Sequence, residues 1–135
     1  MLNFLDSVKD DVFIVNSLQG MREANNKLYT AAFGDAHSNI IPNTHVSKNK
    51  NYLIQQINES KSDKMILKPL NGFGGSGVIL IEKSAMSNIN SLLDFYISAG
   101  EGESNYVILQ DYIEGAEKGD VRVLLLNGEP VGAMK

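Results

Sequence analysis

The hydrophobic positions of this chain change period several times, and each change marks an element. Residues 11–16 form a short apolar run, Val12-Phe13-Ile14-Val15, closed by Asn16, and predict a buried strand. Over 20–33, Met21, Ala24, Leu28 and Ala31/Ala32 recur at helical spacing, while Arg22, Glu23, Asn26 and Lys27 fall mostly on other faces, so one helix is expected, ended by Gly34-Asp35. Ile40-Ile41-Pro42 and Thr44-His45-Val46 predict an extended connection, because Pro42 disfavours helix. Leu53 and Ile57 mark the buried face of a helix over 50–59. Strands follow at 65–68 and 78–82. A helix over 85–98 carries Ile89, Leu92, Leu93 and Tyr96 on one side and ends at Gly100. A third strand covers 106–110, a charged loop 115–119, and an apolar strand 120–126. Asn127-Gly128 is a two-residue hairpin turn, returning along 130–134. Strands and helices mixed without regular βαβ alternation predict an α+β fold.

The segment between the strands at 65–68 and 78–82 carries the most specific chemistry. Lys68 closes the first strand, and Pro69-Leu70-Asn71-Gly72-Phe73-Gly74-Gly75-Ser76-Gly77 leads to the second. Glycines let backbone N–H groups approach an anion unhindered, and a lysine supplies a point charge for phosphate. A Walker A loop has its lysine after the glycines and a helix following, and a dinucleotide fingerprint also needs that helix. Here the lysine precedes the loop and a strand follows it. The order suits a glycine flap over a nucleotide phosphate; the competing reading is a glycine-rich hairpin without a ligand.

Composition narrows the field. A chain of 135 residues with 43% hydrophobic and 21% charged residues is an ordinary single domain. The net charge of −4 and the absence of a basic run argue against nucleic-acid binding. No apolar run approaches the roughly 20 residues of a membrane span, and the N-terminus lacks the layout of a secretory signal. With no cysteines there is no disulfide, thiolate nucleophile or zinc–thiolate site, which fits the expected cytoplasmic location.

Three further groups join the flap. Lys27 lies on a predicted helix, where a single lysine is most often a solvated surface residue. Gln110, Asp111, Tyr112 and Ile113 stand where a strand breaks into a loop, a conformation that exposes backbone groups able to read an adenine edge. Asp120 and Arg122 share a strand face by alternation. Each group alone is commonly structural; their order along the chain with the flap is what suggests a site.

That order, and the spelling of four segments, resemble the ATP-grasp ligases and, within them, the prokaryotic glutathione synthetases. The segments are Val15 to Tyr29, with Arg22-Glu23-Ala24-Asn25-Asn26-Lys27-Leu28 the more specific part, Ile66-Leu67-Lys68-Pro69-Leu70 with its glycine loop, Gln110-Asp111-Tyr112-Ile113, and Gly119 to Val131. The resemblance covers nearly all of the chain from Val12. It implies an ATP-grasp fold of antiparallel strands with packed helices, with residues 1–43 as the end of the preceding region plus a connecting helix and 44–135 as the ATP-binding region. It also implies roles. Lys27 and Lys68 contact nucleotide phosphates. Gly72, Gly74, Gly75, Ser76 and Gly77 close over the γ-phosphate. Gln110, Asp111, Tyr112 and Ile113 pair with adenine, Asp120 binds the ribose, and Arg122 acts catalytically on the phosphate and substrate side. The implied reaction joins γ-glutamylcysteine to glycine through an acyl phosphate, using ATP and Mg²⁺.

The chain departs from the family pattern where Phe73 stands for a methionine and Ser76-Gly77 for Ala-Ser; the glycines that set the backbone are kept. It also lacks the acidic cluster that would hold Mg²⁺, so the metal ligands are expected beyond residue 135 and the chain is expected to be a piece of a longer protein, inactive alone. An uncovered final hairpin predicts a homo-oligomer or a covering segment. Two alternatives remain: another ATP-grasp carboxylate–amine ligase, or a non-catalytic nucleotide-binding module.

Overall fold

A computed structural model describes residues 2–33, 40–70, 76–98 and 105–135. Its main body is a four-stranded antiparallel sheet in the order β1-β4-β2-β3, formed by β1 Thr44–Ser47, β2 Lys64–Pro69, β3 Ile79–Glu82 and β4 Val107–Asp111. Alternation divides the sheet into two faces. Met65 and Leu67 of β2, Ile81 of β3, and Val107 and Leu109 of β4 join one core with Leu53 and Ile57 of α4 (Lys50–Glu59) and Ile89, Leu93 and Ile97 of α5 (Met86–Ser98). Both helices therefore lie on one face and leave the other free of them.

Local chemistry explains where these helices start. Asn49 caps α4, its side chain accepting from the Tyr52 N–H at 3.2 Å. A turn of 3₁₀ helix, Lys83–Ala85, precedes α5. Lys50 of α4 pairs with Asp94 of α5 at 2.7 Å, on the rim of the contact.

The N-terminal third differs from expectation. Residues 11–16 do not form a strand. A short helix α1, Leu2–Val8, precedes them, and the N–H groups of Asp11 and Val12 both turn back to the Val8 carbonyl. A strand needs a ladder partner, and among the described residues no strand pairs with this run; Phe13 is 94% exposed. The helix expected over 20–33 is two helices, α2 Leu18–Asn25 and α3 Lys27–Ala31. Asn26 separates them in an extended conformation, its N–H bonded to the Glu23 carbonyl and its side chain accepting from the Leu28 N–H at 3.0 Å. The amide side chain thus competes with the helical ladder, as asparagine often does. Ser17 caps α2, and Arg22 pairs with Asp6 of α1. The expected ends at Gly34-Asp35 and Gly100 lie outside the described residues.

The last two strands, β5 Arg122–Leu126 and β6 Glu129–Met134, form a separate hairpin. Asn127 and Gly128 have φ of 50° and 86°, the paired positive values of the turn that their sequence predicts. Every residue of both strands is exposed, including Val123, Leu124, Leu125 and Leu126. Asp120 precedes β5, whose pairing begins with Arg122 opposite Met134. The expectation that Asp120 and Arg122 share a strand face is therefore corrected: without a ladder at Asp120, alternation does not govern its direction.

Candidate functional site

The face of the sheet away from α4 and α5 is built in rungs. One rung runs Thr44, Gln110, Ile66 and Leu80 across β1, β4, β2 and β3; the next runs Val46, Ile108 and Lys68. Ile108 is only 1% exposed, although it stands outside the core on the helix-covered side. Lys68 is opposite Ile108 and diagonal to Gln110, a separation that long side chains can span. The Lys68 ammonium donates to Gln110 Oε1 at 2.8 Å, and Gln110 Nε2 donates to Thr44 Oγ1 at 2.6 Å. The Thr44 hydroxyl donates in turn to the Pro42 carbonyl at 2.7 Å. Gln110 is thus a side-chain link within the site, and Thr44 behind it is a member that the sequence reading does not include.

A second lysine comes to the same place from another element. Lys27 opens α3, which packs against β1, and its ammonium donates to the Pro69 carbonyl at 3.2 Å. Burial first, and the nearby Lys27 charge second, hold the Lys68 ammonium below the ordinary lysine pKa of 10.5. Two positive charges gathered at a partly buried strand end repel each other. An anion between them relieves that repulsion, so the arrangement suits a polyphosphate.

The exit of the glycine loop is fixed beside this pair. Gly77 has φ of +71°, and a Cβ there would stand 3.1 Å from the Pro69 ring, so a glycine both permits the turn and lets it close on Pro69. The Tyr96 hydroxyl, from α5, donates to the Gly77 carbonyl at 2.8 Å, and burial pushes its pKa up. Ser76 and Gly77 are exposed in the turn. Gly72, Gly74 and Gly75 lie outside the described residues. Tyr96 is visible in the sequence as a core-facing helix residue; its hydrogen bond to the loop depends on packing that helical periodicity does not encode.

The strand end at 110–113 is largely committed to the fold. The Asp111 N–H donates to the Asn43 carbonyl at 3.0 Å and the Tyr112 N–H to the Lys64 carbonyl at 3.3 Å, while the Ile113 carbonyl accepts from Ala116 at 3.1 Å. The Tyr112 hydroxyl donates to Glu117 at 2.7 Å; that bond raises the tyrosine's pKa and lowers the carboxylate's. A cleft beside the segment is lined by Lys64, Tyr112, Glu114, Gly115, Glu117 and Lys118. Asp120 and Arg122 are placed elsewhere, Arg122 on the separate hairpin and Asp120 in the exposed stretch before it. The structure therefore brings Lys27, Lys68, Gln110 and Gly77 together on the four-stranded sheet and leaves Asp120 and Arg122 off it.

A family model described as the ATP-grasp domain of prokaryotic glutathione synthetase matches residues 26–135, from just before Lys27 through the final hairpin. The chain belongs to this family. Among its relatives, the glutathione synthetase of Thermosynechococcus vestitus is 38% identical over 123 residues, covering 90% of this chain and 35% of that protein. The Synechococcus elongatus enzyme is 37% identical over 134 residues, covering 99% and 38%. That of Salmonella typhimurium is 35% identical over 123 residues, covering 91% and 36%. The chain thus spans a little over a third of the length of these curated relatives.

Solved structures agree on the ATP-grasp fold. The D-cycloserine synthetase DcsG superposes with a TM-score of 0.75 at 20% identity, over 98% of this chain and 45% of that one. The D-alanine–D-alanine ligase of Helicobacter pylori superposes with a TM-score of 0.58 at 18% identity, over 84% and 34%. At such identities the likeness concerns the fold alone.

Proposed function

We propose that this chain is the ATP-binding part of a glutathione synthetase, in which Lys27 and Lys68 hold the nucleotide phosphates. The observation that carries the reading is the approach of these two lysines, from α3 and β2, at the root of the glycine loop. In this reading residues 1–43 are the end of the preceding region with its connecting helix, and 44–135 belong to the ATP-binding region. Gly72, Gly74, Gly75, Ser76 and Gly77 are assigned to the γ-phosphate. Adenine is read at 110–113 by the Tyr112 carbonyl and the Ile113 N–H, since the Asp111 and Tyr112 N–H groups are used internally. Asp120 is assigned to the ribose and Arg122 to the transferring phosphoryl group, both reaching the nucleotide from the hairpin side.

The chemistry asked of these residues is electrostatic. Phosphoryl transfer to the γ-glutamylcysteine carboxylate spreads negative charge over the phosphoryl oxygens, and fixed cations are worth most where that charge develops. The glycine amine then attacks the acyl phosphate carbonyl and phosphate departs. Mg²⁺ is implied by the family, but no three His, Asp or Glu side chains gather to hold a metal among the described residues. The described part of this chain does not fit a metal site by itself, and the ligands are proposed to lie in the remaining length that the relatives have. None of the described helices is long and apolar enough to cross a membrane; a cytoplasmic enzyme, associated with further copies of itself, is the reading adopted.

The test is phosphate release by the protein extended through the remaining length that its relatives have, supplied with ATP, Mg²⁺, γ-glutamylcysteine and glycine; the 135 residues alone are expected to release none. The reading predicts turnover that needs both amino-acid substrates. Turnover with a different amine or carboxylate and none with this pair would make the protein another carboxylate–amine ligase; nucleotide binding with no turnover on any pair would make it a binding module.

A further inference from the structure

We propose that Thr44 is a positioning residue: its hydroxyl sets the orientation of the Gln110 amide so that the amide carbonyl, and not the NH₂ group, faces the Lys68 ammonium. The inference rests on the phosphate-binding role of Lys68 for its purpose, but its geometry is independent of that role. A carbonyl can only accept, so the Thr44 hydroxyl proton is committed to Pro42 at 2.7 Å. Its oxygen is then left as an acceptor for Gln110, and the group that meets it at 2.6 Å must be the amide NH₂. The other end of the amide, Oε1, is thereby turned to Lys68 at 2.8 Å. Rotating the amide by half a turn would set N–H donors against an ammonium that has no acceptor. Thr44 lies two side chains from the ammonium on the same rung as Gln110, so it acts through Gln110 rather than on a ligand.

The consequence is a lysine kept charged and aimed. Burial and Lys27, the charged neighbour from α3, both oppose the ammonium form of Lys68. β4 and β1 contribute the neutral Gln110 and Thr44, and β3 places Leu80 on the neighbouring rung. The correctly oriented Gln110 carbonyl, accepting from the ammonium, favours the charge. It occupies one of the three ammonium protons and leaves two for phosphate oxygens.

The experiment compares Thr44→Val, which keeps the branched shape and removes the hydroxyl, with Thr44→Ser, which keeps the hydroxyl, in the full chain. Lys68 is followed by NMR of its labelled side-chain carbon, assigned by the signal lost in Lys68→Arg, and ATP binding by calorimetry. Thr44→Val is expected to titrate Lys68 about one pH unit lower than wild type. It should also weaken ATP binding roughly tenfold, the scale of one charge-assisted hydrogen bond. Thr44→Ser should stay within about twofold of wild type. If Thr44→Val does not fold, Thr44→Ala supplies the same comparison. An unchanged Lys68 titration in the hydroxyl-free variant, or equal effects of Ser and Val, overturns the proposal. A Lys68 titration that moves as expected in a protein that binds no ATP upholds the positioning role and removes the nucleotide reading instead.

Discussion

At the scale of single residues, Lys68 and Gly77 each carry a testable consequence of their surroundings. Lys68 has its pKa depressed by burial and by Lys27, so the fold disfavours its charged form. The sign follows: between the folded-state pKa and the ordinary 10.5 the unfolded chain binds more protons, so the cost of Lys68 to stability is full below the folded-state pKa and relieved as pH rises through that window. Nucleotide binding runs the other way. Phosphate favours the ammonium, so affinity should fall as pH rises through the depressed pKa, earlier than an ordinary lysine would cause. Lys68→Arg, whose guanidinium stays charged, should flatten that alkaline fall even where its different shape weakens binding overall; calorimetry across pH 7–10 checks it. Gly77 is the second case. At φ of +71° with the Pro69 ring 3.1 Å from a virtual Cβ, Gly77→Ala is strained both by conformation and by contact. It should destabilise the domain by about 1–3 kcal/mol, read as a lower midpoint in urea unfolding.

At the scale of elements, the sheet is a two-sided device. One side is covered by α4 and α5; the other presents Lys68 and Gln110. Leu93 of α5 is fully buried in the covered side, and Leu93→Ala should cost about 2–5 kcal/mol. Much of this architecture was legible in the sequence because its signals are local: the periodicity of α4 and α5, the apolar runs of β2 and β4, and the Asn127-Gly128 turn. What was not legible is pairing. Residues 11–16 have strand composition but no ladder to join, and Asn26 divides a helix whose apolar spacing runs through it. Thr44 looks like any polar residue of an extended stretch until the β1–β4 register sets it beside Gln110. Lys27 and Lys68 were visible as candidates from their segments, but their meeting at Pro69 joins elements 42 residues apart. Asp120 and Arg122 show the reverse: alternation suggested one strand face, and the ladder begins only at Arg122.

At the scale of the molecule, the four-stranded sheet has its own core, whereas the β5–β6 hairpin buries none of its side chains. Leu125 and Leu126 are 63% and 65% exposed, beside Val123 and Val131. Exposed apolar side chains on both faces of the hairpin favour association, and the outer edges of a two-stranded hairpin can template pairing. The 135-residue chain is therefore expected to self-associate in solution, with a light-scattering mass above that of one 14.8 kDa chain. Replacing Leu124 and Leu126 by lysine should return the mass toward a monomer while leaving the core untouched.

The central claim is that the cation pair at the end of β2 binds nucleotide phosphates. Calorimetric titration of ATP and of adenosine into the full chain, its Lys68→Ala variant and the Lys27→Ala/Lys68→Ala double variant tests it most directly. The account predicts that wild type binds ATP far more tightly than adenosine. Lys68→Ala should lose roughly tenfold or more of the ATP affinity, the worth of a charge-assisted contact, and the double variant should lose more still. Adenosine binding should be the same in all three. Equal ATP affinity in wild type and Lys68→Ala, or an equal loss of adenosine and ATP, would contradict it.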